Sequence, residues 1–248
     1  MLVLCLGPAT RLSEFLSSAS KRYEAVIRFG TSTETYDAEG DAVRITGAAP
    51  TEEEIRSILP DFTGEIEQTP PPYSAIKIQG KKAYELARKG ENVELDPRTI
   101  TIYNLDLIDY TAPDLMLTIE CSAGTYIRSL AHDLGEQLNT GAHLANLRRV
   151  KSGPFTIDEC VSLSQLELSI SSGDWGQYVR PAVEALPELP TVKLADAALE
   201  DIRNGRRIPA EGQVEGLARA IGPDGDLVAI LEAAPEGGFW HPKKVFGR

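Results

Sequence analysis

Cysteine is scarce. Cys5, Cys121 and Cys160 are the only three among 248 residues, an odd number at wide spacing that fits neither a disulfide framework nor a zinc knuckle. A reducing cytoplasm is the expected location. Positive charge is also in deficit: 25 Lys and Arg face 37 Asp and Glu, a formal charge of −12, which argues against holding nucleic acid by bulk positive charge. No apolar run approaches the roughly 20 residues needed to span a bilayer. The Leu2–Leu6 run has no basic residue before it and is too short, so neither a signal peptide nor a membrane anchor is expected. Gly-x-Gly-x-x-Gly after a strand, the phosphate-loop Gly-Lys-Ser/Thr, His-Glu-x-x-His and Gly-x-Ser-x-Gly are all missing. His132, His143 and His241 lack metal-ligand spacing and read as surface or capping residues. No metal and no nucleotide or other cofactor is expected.

What is there, 42% apolar residues in 248, suffices for one large domain or a medium and a small one. Leu2–Leu6 reads as a strand apolar on both faces. Thr10 is placed to cap a helix carrying Leu12, Phe15, Leu16 and Ala19 at helical spacing. Alternation predicts a half-buried strand from Tyr23 to Phe29, stopping at Gly30. Thr51-Glu-Glu-Glu54 is a capping-box start for a helix that ends before Pro60. Ala83, Leu86 and Ala87 mark a short helix closed by Gly90. Ile100–Tyr110 and Leu115–Cys121 read as an antiparallel pair, and a helix with Ile127, Leu130, Ala131 and Leu134 on one face follows. Strands and helices are interspersed with hairpins, an α+β order with a mixed, largely antiparallel sheet. Three prolines between Pro181 and Pro190 set a boundary, giving domains 1–186 and 187–248, the second small and β-rich.

Charge is segregated along the chain. Residues 31–70 hold ten acidic and two basic residues, whereas residues 71–90 hold five basic and one acidic. The basic run Lys77, Lys81, Lys82, Arg88 and Lys89 is interleaved with Tyr73 and Tyr84, and Arg148, Arg149 and Lys151 form a second cluster. Cations for phosphates beside aromatics for bases suit an RNA-binding face; a solvated helix face is the equal alternative. At Cys121-Ser-Ala-Gly-Thr-Tyr-Ile-Arg128 a strand ends, turns on glycine and opens a helix. Arg128 near that helix start sits where the dipole disfavours a cation, so it calls for an acidic partner. None is evident nearby in the sequence.

Five ordered segments carry a resemblance. Gly124-Thr-Tyr-Ile-Arg-Ser-Leu-Ala-His-Asp-Leu-Gly135 with Gly141-Ala-His-Leu-Ala-Asn-Leu-Arg-Arg149, Cys5-Leu-Gly-Pro-Ala-Thr10, Lys21-Arg-Tyr23, Thr33-x-Thr35-x-Asp37-x-x-Gly40, and Pro72-Tyr-Ser-Ala-Ile-Lys-Ile-Gln-Gly-Lys-Lys-Ala-Tyr84 are similar to the landmarks of the bacterial tRNA pseudouridine(55) synthases. The resemblance spans essentially the whole chain and, more weakly, makes Leu189 to Phe246 similar to that family's small PUA-like RNA-binding domain. It implies a cofactor-free and metal-free isomerase that detaches uracil from ribose in the tRNA T loop, turns it and rejoins it through carbon, after the base has left its stack. It implies a cytoplasmic monomer whose partner is the T-arm stem-loop of tRNA, with no membrane involved. By the same resemblance Arg128 is the arginine that pairs with the catalytic aspartate. Tyr23 lies against the flipped base and assists proton removal from the product carbon. Tyr126 and Leu147 complete the base pocket, and Lys77 lines the cleft. Lys81, Lys82, Arg148 and Arg149 are expected on the RNA backbone.

One departure is large. The family's nucleophilic aspartate lies in a Gly-x-Leu-Asp-Pro motif shortly before the segment matched by Leu2–Leu6, and here the first acidic residue is Glu14. The expectation is therefore that the chain as given lacks the nucleophile, because its start was assigned downstream, and forms no pseudouridine alone. The alternative function is a non-catalytic tRNA-binding or folding-assistance module using the same cleft.

Overall fold

In a computed structural model, residues 1–45, 47, 49–78, 80–89 and 95–246 are described. Gly90 and Gln79, which figured in the expectations above, lie outside them. The chain forms two compact units, one of Met1 with Ser20–Lys151 and the other of Leu2–Ala19 with Ser152–Arg248. Contacts thus divide the chain at 151/152, and residues 2–19 pack with the C-terminal unit.

The first unit is built on an antiparallel sheet. Its strands are β1 (Lys21–Phe29), β2 (Thr31–Thr33), β3 (Ala42–Ile45), β4 (Gly64–Gln68), β5 (Lys77–Ile78), β6 (Lys81–Lys82), β7 (Arg98–Thr111), β8 (Asp114–Cys121) and β9 (Ala142–Ser152). Strands β9, β1, β8, β7 and β4 lie side by side in that order, and β2–β3 and β5–β6 form two small ribbons. Period-two alternation fixes the register: Tyr23 opposes Ile119, Ala25 opposes Leu117 and Ile27 opposes Leu115. The inward face of this sheet, with Ala25, Ile27, Ile102, Leu117 and Ile119, packs on Ile55 and on Ile127, Leu130 and Leu134. Those side chains come from the helices α2 (Glu52–Ile58) and α4 (Ile127–Gln137). The capping box of α2 forms as the sequence predicts: Thr51 N donates to Glu54 Oε2 at 2.7 Å and Glu54 N to Thr51 Oγ1 at 3.3 Å. Between them, α3 (Ala83–Ala87) follows directly from β6. Gly135 in α4 meets the start of β9 so closely that a Cβ would lie 2.2 Å from Ala142 N. Only glycine fits there.

The second unit holds α1 (Ser13–Ser18), β10 (Phe155–Thr156), α5 (Leu163–Ser172), β11 (Thr191–Lys193), α6 (Asp196–Arg203), β12 (Ile208–Pro209), β13 (Leu217–Ile221), β14 (Leu227–Ala233) and β15 (Phe239–Val245). Its sheet has the order β11-β13-β14-β15-β12; β11 pairs parallel with β13, and the other strand pairs of that sheet among the described residues are antiparallel. Ile202 of α6 packs on Ala218, Leu231 and Trp240. The expected mixed α+β architecture with a β-rich C-terminal part is what the chain adopts.

Two local expectations are corrected. Residues 2–6 form no strand; Leu2, Leu4 and Leu6 are exposed, while Val3 and Cys5 pack against the cluster of Leu12, Leu16, Leu186 and Ile230. An apolar run becomes a two-faced strand only if backbone partners flank it, and this one is covered on one face. Thr10 caps no helix either. Gly7, at φ +54°, and Pro8 start a 3-10 turn over Gly7–Leu12, and Thr10 Oγ1 donates back to Gly7 O at 2.8 Å.

Candidate active site

Arg128 finds its acid far away in sequence. It is the second residue of α4, whose first turn is uncapped by any Tyr126 side-chain bond. Gln68, at the end of β4 and 2% exposed, supplies that function: its Oε1 accepts from Tyr126 N at 2.8 Å and its Nε2 donates to Tyr126 O at 3.1 Å. Ser129 Oγ adds a bond to Thr69 O at 2.7 Å. With the helix start pinned from both sides, the Arg128 guanidinium reaches three groups. Nη1 donates to Asp37 Oδ2 at 3.0 Å and to Thr35 O at 3.3 Å, and Nη2 to Tyr73 O at 3.0 Å.

Asp37 is itself held. Its Oδ1 accepts from Thr35 Oγ1 at 2.6 Å and from Glu39 N at 3.1 Å, and Thr33 Oγ1 donates to Asp37 O at 2.7 Å. The tight loop depends on Gly40, where a Cβ would lie 2.3 Å from Thr35 Oγ1. The loop is tied to β9 by Leu144 N to Tyr36 O at 2.9 Å and Ala38 N to Leu144 O at 3.1 Å. Beside this pair opens a cavity of about 510 Å³ whose wall includes Asp37, Tyr73, Tyr84, Arg88, Tyr126 and Arg128. An aromatic and cationic wall around a fixed ion pair suits a flat, polar, partly anionic ligand such as a nucleotide.

Three family descriptions together match nearly the whole chain. Residues 1–127 match the TruB family pseudouridylate synthase N-terminal domain, residues 128–186 the tRNA pseudouridylate synthase B C-terminal domain, and residues 189–247 the C-terminal domain of tRNA pseudouridine synthase II. The chain belongs to the TruB family. The tRNA pseudouridine synthase B of Dehalococcoides mccartyi is 41% identical over 244 residues, covering 97% of this chain and 81% of that protein. That of Geobacillus thermodenitrificans is 39% identical over 258 residues, covering 99% and 85%. A chain in the crystal structure of a Cbf5–Nop10–Gar1 complex is similar at a TM-score of 0.72 and 26% identity, over 98% of this chain and 71% of that one.

The sequence-predicted residues fall in two groups within this TruB-family unit. Tyr126 and Arg128 stand in the cavity wall. Tyr23, half-buried on β1, is instead placed against Cys121 and Arg149; its phenol is pushed up from its ordinary pKa by burial, and the Cys121 charge adds to this while the Arg149 cation and its hydrogen bond oppose it. Leu147 lies on β9, 42% exposed. Lys77 on β5 and Lys81 on β6 are exposed, and Lys82 leans over the Tyr84 ring at 5.4 Å, as does Arg88 at 5.5 Å. Arg148 pairs loosely with Glu24 at 3.5 Å, both side chains being more than half exposed. Arg149 donates from Nε and Nη2 to Met1 O at 3.2 and 2.8 Å.

Sequence reasoning missed Asp37 as the partner of Arg128, although the Thr33-x-Thr35-x-Asp37 pattern holds the signal: Thr35 braces the carboxylate and Thr33 the backbone carbonyl of the same residue. His143 is neither surface nor cap. It is 8% exposed, and its Nδ1 bonds to Thr31 O at 2.7 Å. His132 stacks flat on Tyr36 at 3.9 Å. No group of three or more possible metal ligands occurs among the described residues, and no helix there is long and apolar enough to cross a membrane.

Proposed function

We propose that this chain is a tRNA pseudouridine synthase unit that receives the T-arm stem-loop and turns over the T-loop uridine at position 55. The observation that carries the reading is the guanidinium of Arg128, anchored by Asp37 and two carbonyls at the edge of a nucleotide-sized cavity beside Tyr126. Family membership and relatives at about 40% identity support the same reaction. In this reading Arg128 neutralises a carboxylate acting on the flipped base, Tyr126 and Leu147 contact that base, and Tyr23 takes a proton from its carbon. Lys77, Lys81, Lys82 and Arg148 meet the RNA, and the 187–248 part acts as the PUA-like RNA-binding module.

Asp37 is poorly suited to attack the base itself. Three donors already occupy its two oxygens, and a carboxylate so held is a weak nucleophile because its lone pairs are engaged. Its role is to orient Arg128. We therefore propose that the 248-residue chain alone binds T-arm RNA without forming pseudouridine. The test has two arms: affinity for a T-arm stem-loop against an unrelated hairpin, and pseudouridine content of the RNA by mass spectrometry. Preferential binding without turnover is the expected result. No preference at any salt concentration defeats the reading, and turnover abolished by Asp37→Asn assigns the nucleophile to Asp37 instead.

A further inference from the structure

Arg128 and His132 stand one turn apart on α4, so their side chains leave the same face of the helix. Both reach the loop that carries Asp37. Arg128 Nη1 takes the two residues that flank Tyr36, donating to Thr35 O at 3.3 Å and to Asp37 Oδ2 at 3.0 Å. His132 takes Tyr36 itself: the ring centroids are 3.9 Å apart and the planes 4° from parallel. The loop is therefore held to α4 at two points, one polar and one flat.

Tyr36 needs such support. Its backbone is left-handed, at φ +64°, a conformation in which a Cβ crowds the following carbonyl and which persists only where the surroundings enforce it. The turn is closed by Tyr36 N to Thr33 O at 3.2 Å and tied to β9 by Leu144 N to Tyr36 O at 2.9 Å, and it brings Thr35 O and Asp37 Oδ2 onto one guanidinium nitrogen. These backbone bonds fix the loop against β9 and leave its α4 side to side chains. His132 serves there as a surface: its Nδ1 is buried with no hydrogen-bond partner among the described residues. Burial holds the imidazole below its ordinary pKa, with the Glu136 charge opposing this, so at neutral pH it meets Tyr36 as an uncharged ring. The phenol stays neutral as well, pushed up first by burial and then by Asp133 and Glu136.

We propose that Tyr36 and His132 are positioning residues for Arg128: their stack is a second clamp that keeps the Thr35–Asp37 loop in the register at which Nη1 has both acceptors and Nη2 reaches Tyr73 O. The inference rests on the role given to Arg128 above. The cavity wall includes Thr35, Asp37 and Arg128 but neither stacked ring, so Tyr36 and His132 act through the guanidinium and not on the ligand. Thr35 O and the Asp37 carboxylate flank one residue, and a shift of Tyr36 moves both. Two of the three acceptors of Arg128 are then lost together.

The test uses the 248-residue chain with ¹⁵N-labelled arginine and reads the exchange between Arg128 Nη1 and Nη2 by NMR, the signals being assigned by their loss in Arg128→Lys. A guanidinium gripped at both nitrogens turns slowly about its Nε–Cζ bond and keeps the two distinct. His132→Ala, which suits a helix, and Tyr36→Asn, which suits a left-handed backbone, each remove one ring and are expected to speed that exchange about three- to tenfold, the worth of an aromatic pair. His132→Phe and Tyr36→Phe keep two flat rings and are expected to stay within about twofold of the wild type. Unchanged exchange in a folded variant lacking a ring overturns the inference even where its melting temperature falls, since the stack then only packs. Equal acceleration in all four variants also overturns it, as does a wild-type chain in which the two nitrogens are already averaged. If one variant lacking a ring does not fold, the other decides alone. Should the chain bind no T-arm RNA, the role of Arg128 in the reaction fails, while the exchange still decides whether the stack holds its guanidinium.

Discussion

Asp37 and Arg128 are each about three-quarters shielded, with side chains 22% and 26% exposed, so neither can be removed without leaving polar atoms behind. Replacing Asp37 with alanine deletes the carboxylate end of three bonds and frees Thr35, Glu39 N and one arm of Arg128. Asp37→Ala is expected to lower unfolding stability by about 2 kcal/mol, read from the urea midpoint, because bonds to charged groups contribute roughly 1.5–3 kcal/mol each and the freed donors regain some solvent. A loss below about 0.5 kcal/mol would mean the pair is an incidental surface contact. The sequence reveals half of this arrangement. A cation at a helix start needs an anion for local electrostatic reasons, and that need is visible in eight residues. Its supplier is 91 residues upstream, and nothing local to Arg128 encodes a contact that only the folded sheet creates. For the same reason Arg149, read from its neighbours as one of a basic pair, could not be seen to hold the Met1 carbonyl.

At the scale of the element, α4 joins the site to the core with opposite faces. Ile127, Leu130, Ala131 and Leu134 are buried, while His132, Asp133 and Glu136 gather near Tyr36 and Arg44. Burial first and the Glu136 charge second push the Asp133 carboxyl up to about 6. The sign follows directly: between pH 4 and 6 the unfolded chain has lost this proton and the native chain still holds it, so this site makes stability fall as pH rises through that window. Above pH 6 both forms are ionised and the penalty is constant. Asp133→Asn is therefore expected to match the wild type near pH 3.5 and to exceed it at pH 7 by about 1–2 kcal/mol, after discounting for partial solvent access. Thermal melts of both proteins across pH 3.5–7 check this, and parallel curves would exclude it. The helix itself was legible from its period, as were α2 from its capping box and β7–β8 from their alternation and the Pro113-Asp114 turn, since these signals are local. The run Leu2–Leu6 misleads because strand formation is settled by backbone partners elsewhere, and the small β2–β3 ribbon is invisible because short, polar Thr-Ser-Thr carries no periodicity.

Across the whole molecule, a charge of −12 sets the terms on which RNA can be met. Phosphate contacts must come from local cationic patches, because the average field repels the ligand at long range. Ion pairs remove several candidates: Arg22, Arg28, Arg44, Arg56, Arg180, Arg206 and Arg207 all face carboxylates. Lys81 and Lys82 appear in none of the ion pairs found among the described residues, and Lys82 is stacked against Tyr84, which keeps a cation and a base-sized ring together. Log affinity for a T-arm stem-loop is therefore expected to fall linearly with log salt, and the double substitution Lys81→Ala with Lys82→Ala to flatten that line by one to two contacts, a change of about 1–2 in slope. Affinity at 50 mM salt should drop more than affinity at 200 mM, because the lost contacts act through counterion release. If both slope and affinity stay as they were, these lysines belong to a solvated face and the phosphates are held elsewhere, with Arg148 and Lys151 on β9 the next pair to replace.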